Sequence, residues 1–395
     1  MNVALFSFAY APFEGGAEIA AREIISRLKT LNFTVFTYKL NRKWASEESG
    51  LNFKIIRIGA GKKMESGEKD TRKYYGGIWK KINYVYRAWQ EAEKAHRRER
   101  FDAVWVMMAS YGGLAALLFK MKHPKVPMLL TLQEGDSARH MTLGKFGLVG
   151  LLGGRIIRNA DFIQCISHYL ADFAALRGAK CPIEVVSNGV DIGLFQTPYS
   201  DSEIKSARNN LGLKDEYVII TTNRLVYKNG MDIVVKALAK LKEKRPNIKL
   251  VAIGDGPELN KLKTMGKKLK VDGDILFLGQ MPYKDLPLYF RIADVFVRPS
   301  RSEGFGNAFL DAMAAGVPAI GTPVGGIVDF LKDGETGFVS KPENPDDLAE
   351  KINYVLGHPN VRNKVIANAD NLVKRHYSWD VVSEKMGRIF NHITS

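Results

Sequence analysis

Residues 294–311 read Asp-Val-Phe-Val-Arg-Pro-Ser-Arg-Ser-Glu-Gly-Phe-Gly-Asn-Ala-Phe-Leu-Asp, and this stretch decides the fold. The apolar run ends at Pro299, which cannot donate to a sheet ladder, so the run reads as a short buried strand. A helical apolar pattern begins near Asn307, and Glu303, Gly304, Phe305 and Gly306 lie between strand and helix. A helix N-terminus presents unpaired N–H groups and the positive end of its dipole, which suits phosphates and hydroxyls. Gly304 and Gly306 carry no Cβ and admit a ligand close to the backbone. Asp311 is expected two turns into the helix, within reach of a ligand hydroxyl. For Glu303 the alternative is simple charge complementarity at a helix start, and for Asp311 an exposed helical acid.

Working outward, strand-like and helix-like segments alternate from end to end, the pattern of parallel sheets covered by helices. Strands are predicted at 3–8, 34–38, 53–57, 103–107, 128–132, 162–165 and 184–186, with helices between them, among them 18–31 and 112–122. The theme repeats with strands at 218–222, 250–253, 275–278, 295–297, 318–320 and 337–339. A chain of 395 residues exceeds one ordinary core. The expected organisation is α/β: two Rossmann-like doubly wound domains, 1–195 and 196–377, facing a central cleft, with a helix over 378–395 crossing back to the first. Ligands of open parallel sheets gather at the C-terminal ends of the strands.

Composition narrows the classes. Hydrophobic content of 46% with 25% charged residues describes a globular protein, and two cysteines make no disulfide framework. The start, Met-Asn-Val-Ala-Leu-Phe-Ser-Phe, lacks a basic region and reads as a strand, and the apolar stretch 146–154 is too short to span a bilayer. A cytoplasmic protein is expected. Residues 1–190 carry 29 Lys+Arg against 17 Asp+Glu, so most of the net charge of +16 sits in the first half. That excess suits an anionic membrane surface or another polyanion. No aromatic-rich RNA motif or helix-turn-helix signature accompanies it, so nucleic acid is not an expected partner.

Two further loops sit at predicted strand ends. Pro12-Phe13-Glu14-Gly15-Gly16-Ala17-Glu18 lies between the first strand and first helix; it is neither a Walker A loop nor a full Gly-x-Gly-x-x-Gly fingerprint. Its alternative is a tight turn without a ligand. Asn223-Arg224-Leu225-Val226-Tyr227-Lys228-Asn229-Gly230 follows the first strand of the second half. A guanidinium such as Arg224 can bind phosphate bidentately and Lys228 can act as a point charge, so together they can stabilise a leaving diphosphate; the alternative is a basic surface loop. Asp272-Gly273-Asp274 resembles a metal motif but reads as a turn, and no metal or cofactor is expected. Glu91, Glu93 and Glu99 alternate with Lys94, Arg97 and Arg98 as an ion-paired helix surface. Tyr75, Ile78, Ile82, Val85 and Trp89 recur at helical spacing, flanked by Lys73, Lys80, Lys81 and Arg87. The stripe suits either a lipid surface or packing on its own sheet.

These residues together resemble the family 4 glycosyltransferases, retaining enzymes of GT-B architecture. The likeness covers nearly the whole length. It rests on Glu303…Asp311 as the Glu-x7-Glu signature, Gly15–Glu18 as the Gly-Gly-x-Glu loop, Asn188–Asp191 as Asn-Gly-Val-Asp, and Val324–Ile327 as Val-Gly-Gly-Ile. The resemblance implies transfer of a hexose from a UDP- or GDP-linked donor to a saccharide or lipid-linked acceptor, without a metal. It gives the catalytic places to Arg224, Lys228 and Glu303, and the donor-binding places to Gly16, Gln133, Gly304, Phe305, Gly306, Asn307 and Asp311. Three departures stand out: Asp311 for the usual Glu, Asn229 in the lysine place with Lys228 one residue early, and Gln133 where many relatives carry His. A nucleotide-sugar epimerase of the same architecture would bind the same donor, but the seven His show no acid/base pairing.

Overall fold

The strands are almost continuously buried, as expected where helices cover both faces of a sheet. Val3, Ala4, Leu5 and Phe6 of the first strand are all buried, as is every residue of Ala103–Met107 and Met128–Leu132. In the computed structural model, which describes residues 1–13, 15–62, 77–135 and 148–395, the chain divides into two units. One is Met1–Asn188 with Trp379–Ser395, and the other is Gly189–Ser378.

The first unit holds β1 (Asn2–Phe6), β2 (Asn32–Tyr38), β3 (Glu47–Ser49), β4 (Phe53–Ile58), β5 (Ala103–Met107), β6 (Met128–Leu132), β7 (Phe162–Cys165) and β8 (Ile183–Val185) in the order β3-β4-β2-β1-β5-β6-β7-β8. All pairs are parallel except β3 with β4. Strand β3 was not foreseen: Glu47, Glu48 and Ser49 carry no apolar alternation, and they serve as an exposed, charged edge. The helices are α1 (Gly16–Arg27), α2 (Ile78–Arg98), α3 (Tyr111–Lys122), α4 (Leu148–Asn159) and α5 (His168–Leu176).

Helix α2 corrects two readings. Its inward residues are Tyr84, whose hydroxyl donates to the Phe36 carbonyl at 3.1 Å, and the small Ala88 and Ala92, while Ile78, Trp79, Ile82 and Tyr86 are exposed. Of the apolar stripe, Ile78 and Ile82 are exposed while Val85 and Trp89 are half-buried, so its first part does not pack on the sheet; Tyr75 and Lys73 lie outside the described residues. Glu93 is no surface acid either. It is buried against α3, paired with Lys122 (2.7 Å) and His123 (2.9 Å). Among the described residues, no helix is long and apolar enough to cross a membrane.

The second unit holds β9 (Tyr217–Thr222), β10 (Ile248–Ile253), β11 (Ile275–Gly279), β12 (Val295–Arg298), β13 (Ala319–Gly321) and β14 (Phe338–Val339), ordered β11-β10-β9-β12-β13-β14 and all parallel. Its helices are α6 (Ile192–Phe195), α7 (Asp201–Asn210), α8 (Met231–Lys244), α9 (Leu259–Lys268), α10 (Leu286–Arg291), α11 (Asn307–Ala314), α12 (Pro345–Gly357) and α13 (Pro359–His376). The unit begins at Gly189, earlier than the expected 196, because α6 belongs to it. Phe195 is fully buried there, with ring contacts to Tyr283 and Phe290 at 5.4 and 5.6 Å. The polar stretch after Gln196 is no free linker: Ser200 and Glu203 form a capping box that starts α7.

The final helix, α14 (Trp379–Thr394), packs within the first unit. Trp379, Val382, Met386, Ile389 and Phe390 join the core formed by Val3, Leu5, Ile24 and Trp105. The Phe390 ring lies 5.9 Å from Phe33 and 5.5 Å from Trp105, and Arg27 Nε bonds Asp380 at 2.8 Å. Phe390→Ala is expected to destabilise the first unit by about 3–5 kcal/mol. Denaturant unfolding followed by Trp fluorescence should show an early transition, and an unshifted curve would mean α14 is dispensable to that core.

Candidate functional site

Each sheet reverses its winding direction once. The reversal lies between β1 and β5 in the first unit and between β9 and β12 in the second, where open α/β sheets bind ligands beyond the strands' C-terminal ends. In the second unit the residues following β9 and β12 are Asn223–Gly230 and Pro299–Gly306, the two loops singled out in the sequence.

These loops are built against each other. Gly230 has φ +72°, and a Cβ there would lie 2.0 Å from the Pro299 carbonyl oxygen, so only glycine fits. The Arg301 N–H donates to the Lys228 carbonyl at 2.7 Å. Its guanidinium bonds the Tyr227 carbonyl (2.7 Å), takes Asp232 in a fork (2.7 and 2.9 Å), and lies 3.9 Å over the Tyr227 ring. Glu343 completes this ion cluster. A third loop supports the first: the Leu225 N–H donates to Asp255, and a Cβ on Gly254 would lie 1.8 Å from the Asn223 carbonyl oxygen.

Within this frame Arg224 is exposed, Lys228 half-buried and Asn229 buried. The Asn229 amide donates to the Arg224 carbonyl (2.6 Å) and its oxygen accepts from Arg298 Nη2 (3.2 Å). Arg298 also pairs with Glu303, which is buried. The Glu303 carbonyl accepts from Gly326, and a Cβ on Gly325 would lie 1.8 Å from that same oxygen. This contact, together with a φ of +54°, explains the glycine at 325. Gly306, at φ +104°, precedes α11, and no side chain caps the helix start at Asn307. Phe305 is buried against Phe330 and Tyr377, so its side chain belongs to the core rather than to the loop surface.

Asp311 stands one turn into α11 rather than two, and it is buried. Burial pushes its carboxyl up to about 7, partly offset by the Tyr283 hydroxyl donating to it at 2.7 Å and by the Arg298 charge. The exposed-acid alternative is excluded. Tyr283, Arg298 and Arg301 were all missed by sequence reasoning. Arg301 lies inside the opening stretch but reads there as one more surface cation, and only the fold brings Asp232 and Glu343 to it.

In the first unit, Gly16 is the first residue of α1, which likewise starts without a side-chain cap. A Cβ on Gly15 would lie 2.3 Å from Glu18 Oε2, so the glycine makes room for a buried acid. Burial pushes Glu18 up to about 7. Gln133 follows β6; its Oε1 accepts from Asn188 at 3.1 Å and its N–H donates to Glu134 at 2.9 Å. The other Glu134 oxygen accepts from the Ala109 N–H at 2.8 Å, tying the end of β5 to that of β6. Glu14 and Asp136 lie outside the described residues. Among those described, no cluster of His, Cys, Asp and Glu is placed to hold a metal ion, and Asp274 is instead paired with Lys242 and Lys249 at 3.1 and 2.9 Å.

Comparison with known proteins matches both units. The family described as Glycosyltransferase Family 4 matches residues 14–194, and Glycosyl transferases group 1 matches residues 203–372. An uncharacterized glycosyltransferase of Methanocaldococcus jannaschii is 32% identical over 53% of this chain and 53% of its own. The GDP-mannose-dependent alpha-(1-6)-phosphatidylinositol monomannoside mannosyltransferase of Mycolicibacterium smegmatis is 31% identical over 57% of this chain and 59% of its own. The chain thus spans little more than half the length of these two relatives. The alpha-monoglucosyldiacylglycerol synthase of Streptococcus pneumoniae is 25% identical over 81% of this chain and 70% of its own. In fold, the chain is similar to sucrose-phosphate synthase of Thermosynechococcus elongatus, with TM-score 0.83, 19% identity and coverage of 99% and 98%. It is also similar to Anabaena HepE, solved with UDP-glucose, with TM-score 0.78, 18% identity and coverage of 99% and 100%.

A raised carboxyl favours folding fully below its unfolded value and loses that contribution as pH climbs to the folded one. For Asp311 the window runs from its ordinary 3.8 to about 7. Asp311→Asn should therefore gain stability relative to the parent between pH 4 and pH 8, by on the order of 3 kcal/mol. Chemical denaturation at both pH values measures this, and a difference independent of pH would contradict a buried, proton-sharing Asp311.

Proposed function

This chain belongs to glycosyltransferase family 4, with the GT-B fold, and on that premise we propose that it moves a hexose from a nucleoside-diphosphate sugar to a hydroxyl of a saccharide or lipid-linked acceptor. The observation that carries the reading is the second unit's switch point. There the loop that carries an exposed Arg224 and a half-buried Lys228 interlocks with the loop that carries the buried Glu303 and leads into α11. A pyrophosphate needs bare N–H donors and fixed cations, and a sugar needs a carboxylate that accepts from hydroxyls. The relatives support the donor class, one being named GDP-mannose-dependent and a structural neighbour having been solved with UDP-glucose.

In the proposed reaction the C1–O bond to the diphosphate breaks while the C1–O bond to the acceptor forms on the same face. The acceptor proton passes to the departing phosphate oxygen, and the anomeric configuration is retained. Arg224 and Lys228 stabilise the charge growing on the leaving group, which is where preorganised donors act most strongly. Glu303 and the backbone of Gly304, Phe305, Gly306 and Asn307 hold the sugar, and Asp311 with Tyr283 borders the ribose. No protein nucleophile and no metal enters the scheme.

Arg224→Ala should lower kcat/KM on the order of 100-fold, chiefly through kcat. A panel of UDP- and GDP-sugars, read by nucleotide release with and without acceptor, identifies the donor. Absence of release from every donor would remove the assignment.

The acceptor side draws on helix α2. Its exposed Ile78, Trp79, Ile82 and Tyr86, flanked by exposed Lys80 and Arg87, match an anionic lipid surface in both polarity and charge. Two of the relatives are named for lipid substrates or products. We accordingly place the protein peripherally on the inner face of the membrane. Co-sedimentation with phosphatidylglycerol vesicles at low salt should be strong and should fall severalfold in a Trp79→Ser/Ile82→Ser variant. Equal sedimentation of the two proteins would rule out α2 as the contact.

A further inference from the structure

Asn229 occupies a place where a basic residue is expected, and a neutral amide cannot balance a diphosphate. Beside Lys228, the structure brings a second cation to this place: Arg298, the last residue of β12, bonds Asn229 directly. Its Nη2 donates to the Asn229 Oδ1 at 3.2 Å, and its side chain is only 12% exposed. The same guanidinium pairs with Glu303 and lowers the carboxyl of Asp311 against the rise that burial causes. Its Nε is buried with no partner among the described residues. A buried charged donor left unmet is costly, so this guanidinium has more hydrogen-bonding capacity than its protein partners use.

We propose that Arg298 supplies the donor site with the positive charge that position 229 lacks, binding the diphosphate from the end of β12 while holding the Glu303 carboxylate in place. This rests on the nucleoside-diphosphate reading above. A guanidinium can hold a carboxylate on one edge and offer positive charge and remaining N–H groups to phosphate. The sequence hides the exchange, since Arg298 closes an otherwise apolar strand while Asn229 lies in another loop. Pairing of β9 with β12 brings the two positions together.

The test is calorimetric titration of UDP and GDP into the full chain and three variants, with thermal unfolding recorded for each. The parent should bind one of the two nucleotides; if it binds neither, the donor reading itself fails. Given parent binding, Arg298→Leu should weaken it at least tenfold, and adding Asn229→Lys to that variant should restore affinity to within about threefold. Arg298→Lys, which keeps the charge and is the fallback should the leucine variant not fold, should retain affinity to within about threefold. Unchanged binding by a folded Arg298→Leu overturns the proposal while leaving the donor reading intact. A double variant as weak as Arg298→Leu also overturns it, because charge at 229 would then be no substitute, and so does a tenfold loss in Arg298→Lys.

Discussion

The second unit depends on a fork of hydrogen bonds from one guanidinium. Arg301 bonds the carboxylate of Asp232 and the carbonyl of Tyr227, while its own backbone N–H holds the carbonyl of Lys228. Those three partners all belong to the loop after β9 or to the first turn of α8, whereas Arg301 belongs to the loop after β12. The pair is thus locked at the point where the sheet changes direction. Gly230 makes the lock possible, because any Cβ there would strike Pro299. A bidentate, partly buried Arg–carboxylate pair is the kind of ion pair that fixes geometry as well as contributing energy.

The two units solve one problem twice. Each places an uncapped helix start beside a glycine that yields space, Gly16 after Gly15 in one and Asn307 after Gly306 in the other. Each also buries an acid within the first five residues of that helix. Glu18 and Asp311 are both pushed up to about 7 by loss of water, well above the ordinary carboxylate range. Charge balance near these helix starts consequently depends on pH in a range where ordinary carboxylates are silent.

Most of the fold was legible in the sequence because buried parallel strands are written as short unbroken apolar runs. The strands at 103–107, 128–132 and 162–165 fall where their Val, Ile, Leu and Met clusters stand. What escaped has a common cause. Strand β3 is three polar residues whose only strand-forming reason is the neighbouring β4. The inward face of α2 stayed open in the sequence because Tyr84, Ala88 and Ala92, none of them in the apolar stripe, make the buried contact. The early start of the second unit turns on Phe195, whose ring partners Tyr283 and Phe290 lie far along the chain.

The sequence by itself determined the two wound sheets, their glycine-bearing loops and the residue types gathered at the strand ends, since periodicity and turn chemistry are local properties. Tertiary structure alone decided which charges meet. Arg298 beside Asn229 and Glu303, Arg301 beside Asp232 and Glu343, and Tyr283 above Asp311 are contacts between segments brought together only by strand pairing and helix packing. Electrostatic partners at hydrogen-bond range are set by distance in space, and neither spacing along the chain nor side-chain type encodes that distance.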